Sequence, residues 1–381
     1  MRQVNCVREE GIEKMILVTG GAGFIGSNFI HDWLAVSDEP VLNLDALTYA
    51  GSTDNLASLQ GDPRHVFVHG NICDRAHVER LLEEYRPSAV VHFAAETHAD
   101  RSIWGPELFF QTNVQGTLNL LQCAKSYFDR LQDGEQKRAF RFLHVSTDEV
   151  YGSLEKDEPP FTEETPYRPN SPYSASKASS DHAVRAWHRT YGFPTITTNC
   201  SNNYGPYQFP EKLIPLVISN ALQRKALPIY GDGRQVRDWL FVTDHCRALR
   251  TVLTRGRVGE SYNIGASNER SNLEIVRMVC RILDELIPHK AGSYAELISF
   301  VTDRPGHDRR YAINAAKLRS ELGWRPETDF ETGLRQTILW YLKNTDWLNR
   351  ARSGDFQEWE RKQYKIDRLA SRPYTEKEKG R

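Results

Sequence analysis

Short apolar runs alternate with longer amphipathic stretches through the first half of the chain. The apolar runs predict strands at residues 15–19, 41–45, 65–69, 88–95 and 140–146. The amphipathic stretches predict helices at residues 27–34, 75–85 and 108–128. Strands and helices that alternate at this length imply right-handed crossovers and a parallel sheet with helices on both faces. The predicted fold class is therefore α/β, with a doubly wound parallel sheet.

The composition of the sequence changes after about residue 199, where the predicted loops become longer and richer in Pro, Gly and aromatic residues. Further helices are predicted near residues 272–286, 315–322 and 330–344. We interpret residues 15–200 as a first domain. Residues 201–360 are interpreted as mainly a smaller mixed α/β domain, with some segments that return to the first. Residues 1–14 are expected to form an N-terminal extension, and residues 361–381 a basic, flexible tail.

The composition argues against several classes of function. The 381 residues carry 49 Lys and Arg against 50 Asp and Glu, so neither nucleic-acid binding nor a polybasic membrane contact is expected. The longest apolar run, at residues 89–95, is too short to span a bilayer, and the first residues lack the apolar core of a secretory signal. The six cysteines form no C-x-x-C pair, so we expect no disulfide framework, no metal site and a reducing cytoplasmic location.

A glycine-rich turn follows the first predicted strand. It reads GGAGFIG from Gly20 to Gly26 and leads into a helix, which is the context in which such a turn binds a dinucleotide. Glycine is needed because a Cβ would block the tight turn and the close approach of the backbone to a pyrophosphate. The helix N-terminus adds N–H groups for the phosphates. The alternative is a turn that only connects the strand to the helix.

Asp45 ends the second predicted strand, where an acidic residue accepts hydrogen bonds from the 2′- and 3′-hydroxyls of a ribose. A carboxylate there repels a 2′-phosphate, so NAD is favoured over NADP. The alternative role of Asp45 is that of a helix cap. Asn71 and Ile72 follow the third strand and are placed to contact the adenine. Ala94 and Ala95 follow the fourth strand and leave room for the dinucleotide.

Tyr173 and Lys177 are four residues apart in an evident helix, so they lie on one face of it. No other of the sixteen tyrosines has a lysine at this spacing. A tyrosine that acts as a base at neutral pH needs a pKa of about 7 instead of its ordinary value of about 10. A neighbouring ammonium and a cationic nicotinamide both act in that direction. The alternative is a solvated pair on a helix surface.

Thr147, Asp148 and Glu149 follow the fifth predicted strand, at the carboxyl edge where open α/β sheets bind ligands. Adjacent acidic residues at a strand end are most often turn or cap residues. In the functional interpretation their environments differ, so that one is a protonated acid and the other an ionised base. Hydride transfer with a tyrosine base requires neither carboxyl, so the pair indicates a second proton-transfer step.

These residues resemble the extended short-chain dehydrogenase/reductase family and, within it, the dTDP-glucose 4,6-dehydratases. The resemblance runs from about residue 15 to residue 364. It rests on ordered motifs: TGGAGFIGS, LTYAG, AAETHADRSI, STDEVYG, SPYSASKASSDH, NCSNNYGPYQFPEKLIPL, LPIYGDG, VRDWLFV, YNIG, DRPGHDRRYAI and ELGW. It implies a Rossmann-like domain with tightly bound NAD, a smaller sugar-nucleotide domain, and a homodimer. We expect the dimer contact at residues 108–128 and 171–191, because both stretches are long and amphipathic.

The resemblance also implies a reaction. dTDP-glucose is oxidised at C4, loses water across C5 and C6, and takes the hydride back at C6, with NAD recycled in each turnover. The product is the first committed intermediate toward deoxysugars such as rhamnose. Tyr173 is the expected base at the 4-hydroxyl, Glu149 the base at C5, and Asp148 the acid for the leaving hydroxyl. Thr147 is expected to bind the 4-oxygen, and Lys177 to orient the nicotinamide ribose and lower the Tyr173 pKa.

Matching motifs carry over two groups of binding residues. The cofactor group is Gly20, Gly23, Phe24, Ile25, Gly26, Asp45, Leu47, Thr48, Asn71, Ile72, Phe93, Ala94, Ala95, Thr112, Tyr173, Lys177 and Asn203. The substrate group is Thr97, Thr147, Asn202, Lys212, Leu213, Pro228, Ile229, Tyr230, Arg237, Asn272, Arg304 and His307. The basic members suit a diphosphate, which needs charge-assisted donors, and Tyr230 offers a stacking face for thymine.

Other functions remain as alternatives. A UDP-glucose 4-epimerase needs no acid–base pair at C5 and C6, so Asp148 and Glu149 argue against it. A GDP-mannose 4,6-dehydratase would need a different pocket from FPEKLIPL and LPIYGDG. A non-catalytic NAD-binding sensor has no physical need for Tyr173, Lys177 and the two carboxyls together. Tolerance for a uridine nucleotide stays open, because one methyl group discriminates by only about 1–3 kcal/mol.

Overall fold

The computed structural model describes residues 14–352 of the chain. The predicted N-terminal extension, apart from Lys14, and the predicted basic tail lie outside the described residues. The strands are β1 (Ile16–Thr19), β2 (Val41–Asp45), β3 (His65–His69), β4 (Ala89–His92), β5 (Arg141–Thr147), β6 (Thr195–Cys200), β7 (Asn202–Tyr204), β8 (Leu227–Tyr230), β9 (Val236–Phe241), β10 (Ser261–Ile264), β11 (Glu269–Ser271) and β12 (Ile298–Val301).

Helices connect and cover these strands. The α-helices are α1 (Phe24–Val36), α2 (Arg75–Tyr85), α3 (Ala99–Trp104), α4 (Pro106–Phe109), α5 (Thr117–Arg130), α6 (Gly134–Ala139), α7 (Pro172–Tyr191), α8 (Leu213–Leu222), α9 (Val242–Arg255), α10 (Asn272–Leu286), α11 (Ala316–Leu322), α12 (Phe330–Lys343) and α13 (Thr345–Ala351). Short 3₁₀ helices cover Thr53–Leu59, Asp148–Tyr151 and Tyr294–Leu297, and a π-helical segment covers Phe110–Gly116.

Seven parallel strands form the central sheet, in the order β10-β6-β5-β4-β1-β2-β3. Strands β1, β2 and β4 are buried along their whole length, as expected where helices cover both faces. The strand order reverses between β1 and β4. Crossovers leave in opposite directions there and open a crevice at the carboxyl ends of the strands. The predicted Rossmann-like parallel sheet is confirmed.

Several predicted elements have the limits that the sequence indicated, namely β2, β3, α2 and α10. Two others differ. The fourth strand ends at His92 instead of residue 95: Phe93 makes a last hydrogen bond to β1, from its N–H to the Thr19 carbonyl at 2.9 Å, and Ala94 and Ala95 then line the crevice. The helix predicted at residues 108–128 is three consecutive elements, with the π-helical segment between α4 and α5.

The second half of the chain builds a smaller layer beside the sheet. It contains a three-stranded sheet, β11-β9-β7, and the parallel pair β12-β8. Helices α8, α10 and α12 enclose its apolar core. Two elements return to the central sheet: β10 pairs with β6, and the apolar side chains of α9 share a core with those of α1. The domain limits at residues 200 and 360 stay predictions.

No helix within residues 14–352 combines the length and the apolar character that a membrane span needs.

Candidate active site

The glycine-rich turn lies at the carboxyl end of β1, beside the crevice. Gly20 has a φ of +74°, and a Cβ on it would lie 2.6 Å from the Ala94 backbone nitrogen. A Cβ on Gly26 would lie 2.3 Å from the Gly20 carbonyl oxygen. Both distances are too short for carbon, so only glycine fits. Gly23 is the N-cap of α1, and no side chain caps the first N–H groups of this helix. These N–H groups are the donors that a pyrophosphate uses.

Asp45 ends β2 beside this turn. Its carboxylate oxygens accept hydrogen bonds from the backbone N–H groups of Ala22 and Leu47, each at 2.8 Å. Burial raises the Asp45 pKa, although both hydrogen bonds oppose the shift. Each oxygen keeps a lone pair for a ribose hydroxyl, so Asp45 fits a dinucleotide without a 2′-phosphate. Leu47 adjoins this site, where its backbone N–H holds the Asp45 carboxylate, and its contact with the cofactor stays a prediction.

The other predicted cofactor residues share one cavity along the carboxyl ends of β1, β2, β4 and β5. They are Gly20, Gly23, Phe24, Ile25, Gly26, Asp45, Thr48, Asn71, Ile72, Phe93, Ala94, Ala95, Thr112, Tyr173, Lys177 and Asn203. The glycines leave the space that a dinucleotide needs, and Asp45 supplies the ribose acceptor. The residues present therefore fit NAD.

Asn55 supports the glycine-rich turn from behind. Its amide N–H donates to the Ala22 carbonyl at 2.8 Å, and its amide oxygen accepts from the Trp347 indole N–H at 2.8 Å. Asn55 and Trp347 are both buried. Because Trp347 belongs to α13, a helix near the end of the described chain touches the cofactor turn through one side chain.

Tyr173 and Lys177 lie in the first two turns of α7. Ser171 caps this helix and forms a reciprocal capping box with Ser174, which fixes where the helix begins. Tyr173 and Lys177 are both buried, so they are not a solvated surface pair. The Lys177 ammonium donates to the Val145 carbonyl at 2.9 Å and joins α7 to β5.

The Tyr173 hydroxyl lies near Thr147 and the two carboxyls. Burial raises the Tyr173 pKa well above its ordinary value, and the Glu149 carboxylate adds to the shift. A hydrogen bond with the Thr147 side chain acts in the opposite direction. A tyrosine in this environment becomes a base only when positive charge is brought close to it. The role of Lys177 in lowering this pKa stays a prediction.

Asp148 and Glu149 are adjacent in sequence but have different surroundings. Burial raises the Asp148 pKa well above its ordinary value, and the charges of Glu149 and Asp238 add to the shift. Burial also raises the Glu149 pKa, but three cations lower it: Arg304, Lys212 and Arg237. Both pKa values are raised, but three cations oppose the shift of Glu149, so Asp148 holds its proton more firmly than Glu149 does. Paired acid–base chemistry needs such a difference.

A second cavity joins the first at Glu149. The predicted substrate residues that line it are Thr97, Asn202, Lys212, Leu213, Pro228, Ile229, Tyr230, Arg237, Asn272, Arg304 and His307. Thr147 lines the cofactor cavity, at the junction. The structure thus brings together residues that the sequence spreads from position 97 to position 307.

Acidic side chains hold the charged groups of this second cavity in place. Arg304 pairs with the Asp100 carboxylate at 2.5 Å, and the Tyr230 hydroxyl donates to the same carboxylate at 3.0 Å. Burial lowers the pKa of His307 to about 4, with Arg304 and Arg237 adding to the shift. His307 is therefore neutral near pH 7, and the arginines carry the charge that attracts an anion.

The π-helical segment brings two more side chains to the site. Thr112 lines the cofactor cavity. The Asn113 amide donates to the Ser176 hydroxyl at 2.8 Å and to the Glu96 carbonyl at 3.0 Å. Ser176 lies between Tyr173 and Lys177 on α7, so the wider turn fixes the catalytic helix against the cofactor cavity. Such turns recur at functional sites.

Comparison with known proteins decides the family. A family model described as GDP-mannose 4,6 dehydratase matches residues 17–337. A dTDP-glucose 4,6-dehydratase of Xanthomonas campestris pv. campestris strain B100 is 60% identical over 342 residues, which cover 90% of this chain and 97% of that protein. This chain belongs to the dTDP-glucose 4,6-dehydratase family. The family model carries the name of a related dehydratase, whereas the similar curated proteins act on the thymidine nucleotide by name.

Two solved dTDP-glucose 4,6-dehydratases are similar to this chain in structure. The enzyme from Streptomyces venezuelae, solved with NAD and dTDP bound, is 48% identical with a TM-score of 0.80 and covers 88% of this chain and 99% of that chain. The enzyme from Bacillus anthracis strain Ames, solved with NAD, is 49% identical with a TM-score of 0.78 and covers 89% of this chain and 99% of that chain. The resemblance inferred from the motifs is confirmed.

Sequence reasoning missed several residues of the dehydratase cleft. They include Glu96, Asp100, Cys200, Glu211 and Tyr311. All but Cys200 are polar or acidic residues next to predicted ligand residues in the motifs AAETHADRSI, QFPEK and DRPGHDRRYAI, and that proximity was the available signal. Nothing in the sequence singled out Cys200.

Proposed function

We propose that this chain converts dTDP-glucose into dTDP-4-keto-6-deoxyglucose in the two joined cavities. The observation that carries the proposal is the placement of two carboxyls in different surroundings where the cavities join: Asp148 is buried near the carboxyls of Glu149 and Asp238, whereas Glu149 faces the cations Arg304, Lys212 and Arg237. NAD, when bound in the first cavity, accepts the hydride from C4 and returns it to C6. An enzyme that exchanged hydride only at C4 would not use this carboxyl pair, which argues against an epimerase.

The chain's own residues move the protons. Tyr173 takes the proton of the 4-hydroxyl, while the Thr147 hydroxyl holds the 4-oxygen. The resulting ketone acidifies the C5 proton, which the ionised Glu149 removes. Asp148 gives its proton to the C6 hydroxyl, which leaves as water. Glu149 then returns its proton to C5, and exchange with solvent resets Tyr173 and Asp148.

The second cavity recognises the nucleotide. Arg237, Arg304 and Lys212 supply the charge-assisted donors for the diphosphate. Tyr230 stacks on thymine, and its hydroxyl is held by Asp100 at 3.0 Å, so the ring is oriented before the substrate arrives. The wall around the base is apolar and consists of Leu213, Pro228 and Ile229. The remaining polar contacts come from Asn202, Asn272, Thr97 and His307.

The direct test incubates purified protein with dTDP-glucose and no added cofactor. We expect loss of one water by mass spectrometry and a product that absorbs near-ultraviolet light after alkali treatment. GDP-mannose and UDP-glucose are the matched comparison substrates. Faster dehydration of GDP-mannose, or interconversion of UDP-glucose and UDP-galactose, would contradict the assignment.

The chain is also proposed to form a homodimer. Four large apolar side chains are exposed along α3, α4, the π-helical segment and the end of α7: Trp104 at 73%, Leu108 at 50%, Phe110 at 41% and Tyr191 at 55%. These side chains belong to α7 and to elements that contact it, and large exposed apolar side chains on neighbouring elements favour a protein contact. Sedimentation is expected to give a dimer at micromolar concentration and a monomer for Leu108→Glu. A wild-type protein that stays monomeric would contradict the proposal.

The cytoplasm is the proposed location. The described cysteines are all free thiols: Cys73, Cys123, Cys200, Cys246 and Cys280. Free thiols are typical of proteins in a reducing compartment. The 4-keto-6-deoxy product would then feed enzymes that make deoxysugars such as rhamnose. Fractionation of cells that produce the protein tests the location.

A further inference from the structure

One buried carboxylate joins three segments at the junction of the two cavities. The Glu211 side chain is only 1% exposed, and Glu211 lines both cavities. Its Oε1 accepts a hydrogen bond from the Tyr49 hydroxyl at 2.9 Å, and its Oε2 lies 3.1 Å from the Arg101 Nε. Tyr49 belongs to the loop after β2, Arg101 to α3, and Glu211 to the segment at residues 205–212 between β7 and α8.

Aromatic packing reinforces the same junction. The Arg101 guanidinium carbon lies 3.7 Å from the centre of the Tyr49 ring, a cation–π contact. The Tyr49 ring meets the Phe209 ring edge-on, with 5.6 Å between their centres. Phe209 lines the cofactor cavity, as do Thr48 and Ala50 on either side of Tyr49. The loop after β2 is therefore bound across the cofactor cavity to the segment at residues 205–212.

The junction also adjoins the substrate side. Lys212 directly follows Glu211, is the N-cap residue of α8, and donates from its ammonium to the Thr97 carbonyl at 2.9 Å. It is also one of the cations that lower the Glu149 pKa. A side chain that fixes the backbone at position 211 thus sets where the next residue presents its charge.

We infer that Glu211 is a positioning residue that, through Tyr49 and Arg101, closes the cofactor cavity and sets Lys212 in the substrate cavity. This inference rests on the proposed function, in which NAD occupies the first cavity. The hydride taken from C4 must return to the same sugar at C6, so a cofactor that left between the two steps would strand the intermediate. Because the same contacts close both cavities, retention of NAD depends on the segment at residues 205–212, which carries the substrate residue Lys212.

Tyr49→Phe is the sharpest test, because it removes one hydroxyl and keeps the ring between Arg101 and Phe209. The hydrogen bond to the buried Glu211 carboxylate stabilises the closed cavity. We therefore expect its loss to speed NAD release about 10-fold. Release is measured as NAD(H) remaining on the protein after timed gel filtration, and added NAD should restore the activity lost. Tyr85→Phe is the matched control, because its hydroxyl interacts with Glu84 on α2, away from both cavities, and it should release NAD as the wild type does.

Glu211→Gln and the double variant complete the experiment. Glu211→Gln should release NAD at least as fast as Tyr49→Phe and also raise the KM for dTDP-glucose, because Lys212 is no longer fixed. Adding Tyr49→Phe to Glu211→Gln should change release little, since the two residues act through one contact. NAD release at the wild-type rate in Tyr49→Phe, or fully additive effects in the double variant, would overturn the inference. Wild-type protein that neither carries nor responds to NAD would instead overturn the proposed function.

Discussion

The cleft has a cofactor half, which is the first cavity, and a substrate half, which is the second, and different kinds of groups line the two. At the glycine-rich turn, the cofactor half consists of glycines and backbone N–H groups beside the carboxylate of Asp45. The substrate half consists of charged and polar side chains that hold one another, such as Arg304 in its ion pair with Asp100 and the neutral His307 in its hydrogen bond with Asp303. The cofactor half should therefore be sensitive to added volume, and the substrate half to removed charge. Away from the closure that both halves share at Glu211, we expect each half to respond to substitution without the other.

Gly26→Ala tests the cofactor half and should have the largest effect. The new Cβ would lie 2.3 Å from the Gly20 carbonyl oxygen, so the turn must open, at a cost of about 1–3 kcal/mol or more. We expect protein purified without bound NAD(H) and without activity. Gly134→Ala is the control, since a Cβ there meets only the Arg138 side chain at 3.5 Å. NAD at wild-type stoichiometry in Gly26→Ala would contradict the volume argument.

Three substitutions at the junction of the halves should keep NAD and separate the proton steps, with losses of about 10²–10⁴-fold for each role. Tyr173→Phe should abolish the first oxidation. Glu149→Gln should permit oxidation, so reduced cofactor accumulates on mixing with dTDP-glucose while exchange of the C5 hydrogen with deuterium falls. Asp148→Asn should retain more of that exchange than of water loss. Equal loss of oxidation in all three would show that the roles are not divided.

Arg304→Gln tests the substrate half. Loss of a charge-assisted contact to the diphosphate should raise the KM for dTDP-glucose about 10- to 100-fold, with bound NAD unchanged. Asp100→Asn should act in the same direction but more weakly, because Arg304 keeps its charge and loses only its partner. If either variant lost NAD as readily as Gly26→Ala, the two halves would not be separable.

The pH profile of Asp238→Asn gives the smallest and most specific effect. Asp148 must be protonated to act as an acid, so activity should fall as pH rises through its raised pKa. Glu149 must be ionised, so activity should also fall as pH drops through its own pKa. Since the Asp238 carboxylate helps to raise the Asp148 pKa, its removal should move the alkaline limb to lower pH, by less than about one pH unit. Movement of the acid limb alone would contradict this assignment.

The sequence predicts local elements better than the places where they are interrupted. Strands β2 and β3 and helix α2 have the predicted limits, because each is set by its own run of apolar or amphipathic residues. The π-helical segment Phe110–Gly116 was not predicted. A π-helical turn contains one extra residue, and the apolar pattern of the sequence still resembles that of a single helix. The π-helical turn is recognised only in the folded chain, where it packs against α7.

The same distinction applies to the site. The cofactor residues from Gly20 to Gly26 were predictable because one contiguous motif holds them and β1 and α1 fix their context. Asp100 and Glu211 were missed because their partners lie far away in sequence. Arg304 is 204 positions from Asp100, and Tyr49 is 162 positions from Glu211. A carboxylate whose role is set by such a partner looks like any surface acid until the chain is folded.

The hydrogen bonds of Asn55 have a consequence for the order of events during synthesis on the ribosome. The glycine-rich turn is among the first parts of the chain to be made. Its support through Asn55 is complete only when Trp347 has emerged and α13 has packed. Until then the Asn55 amide oxygen lacks its fixed donor and hydrogen-bonds to water instead, so the turn is supported from one side only. We therefore expect the nascent chain to acquire its full affinity for NAD only after α13 has packed.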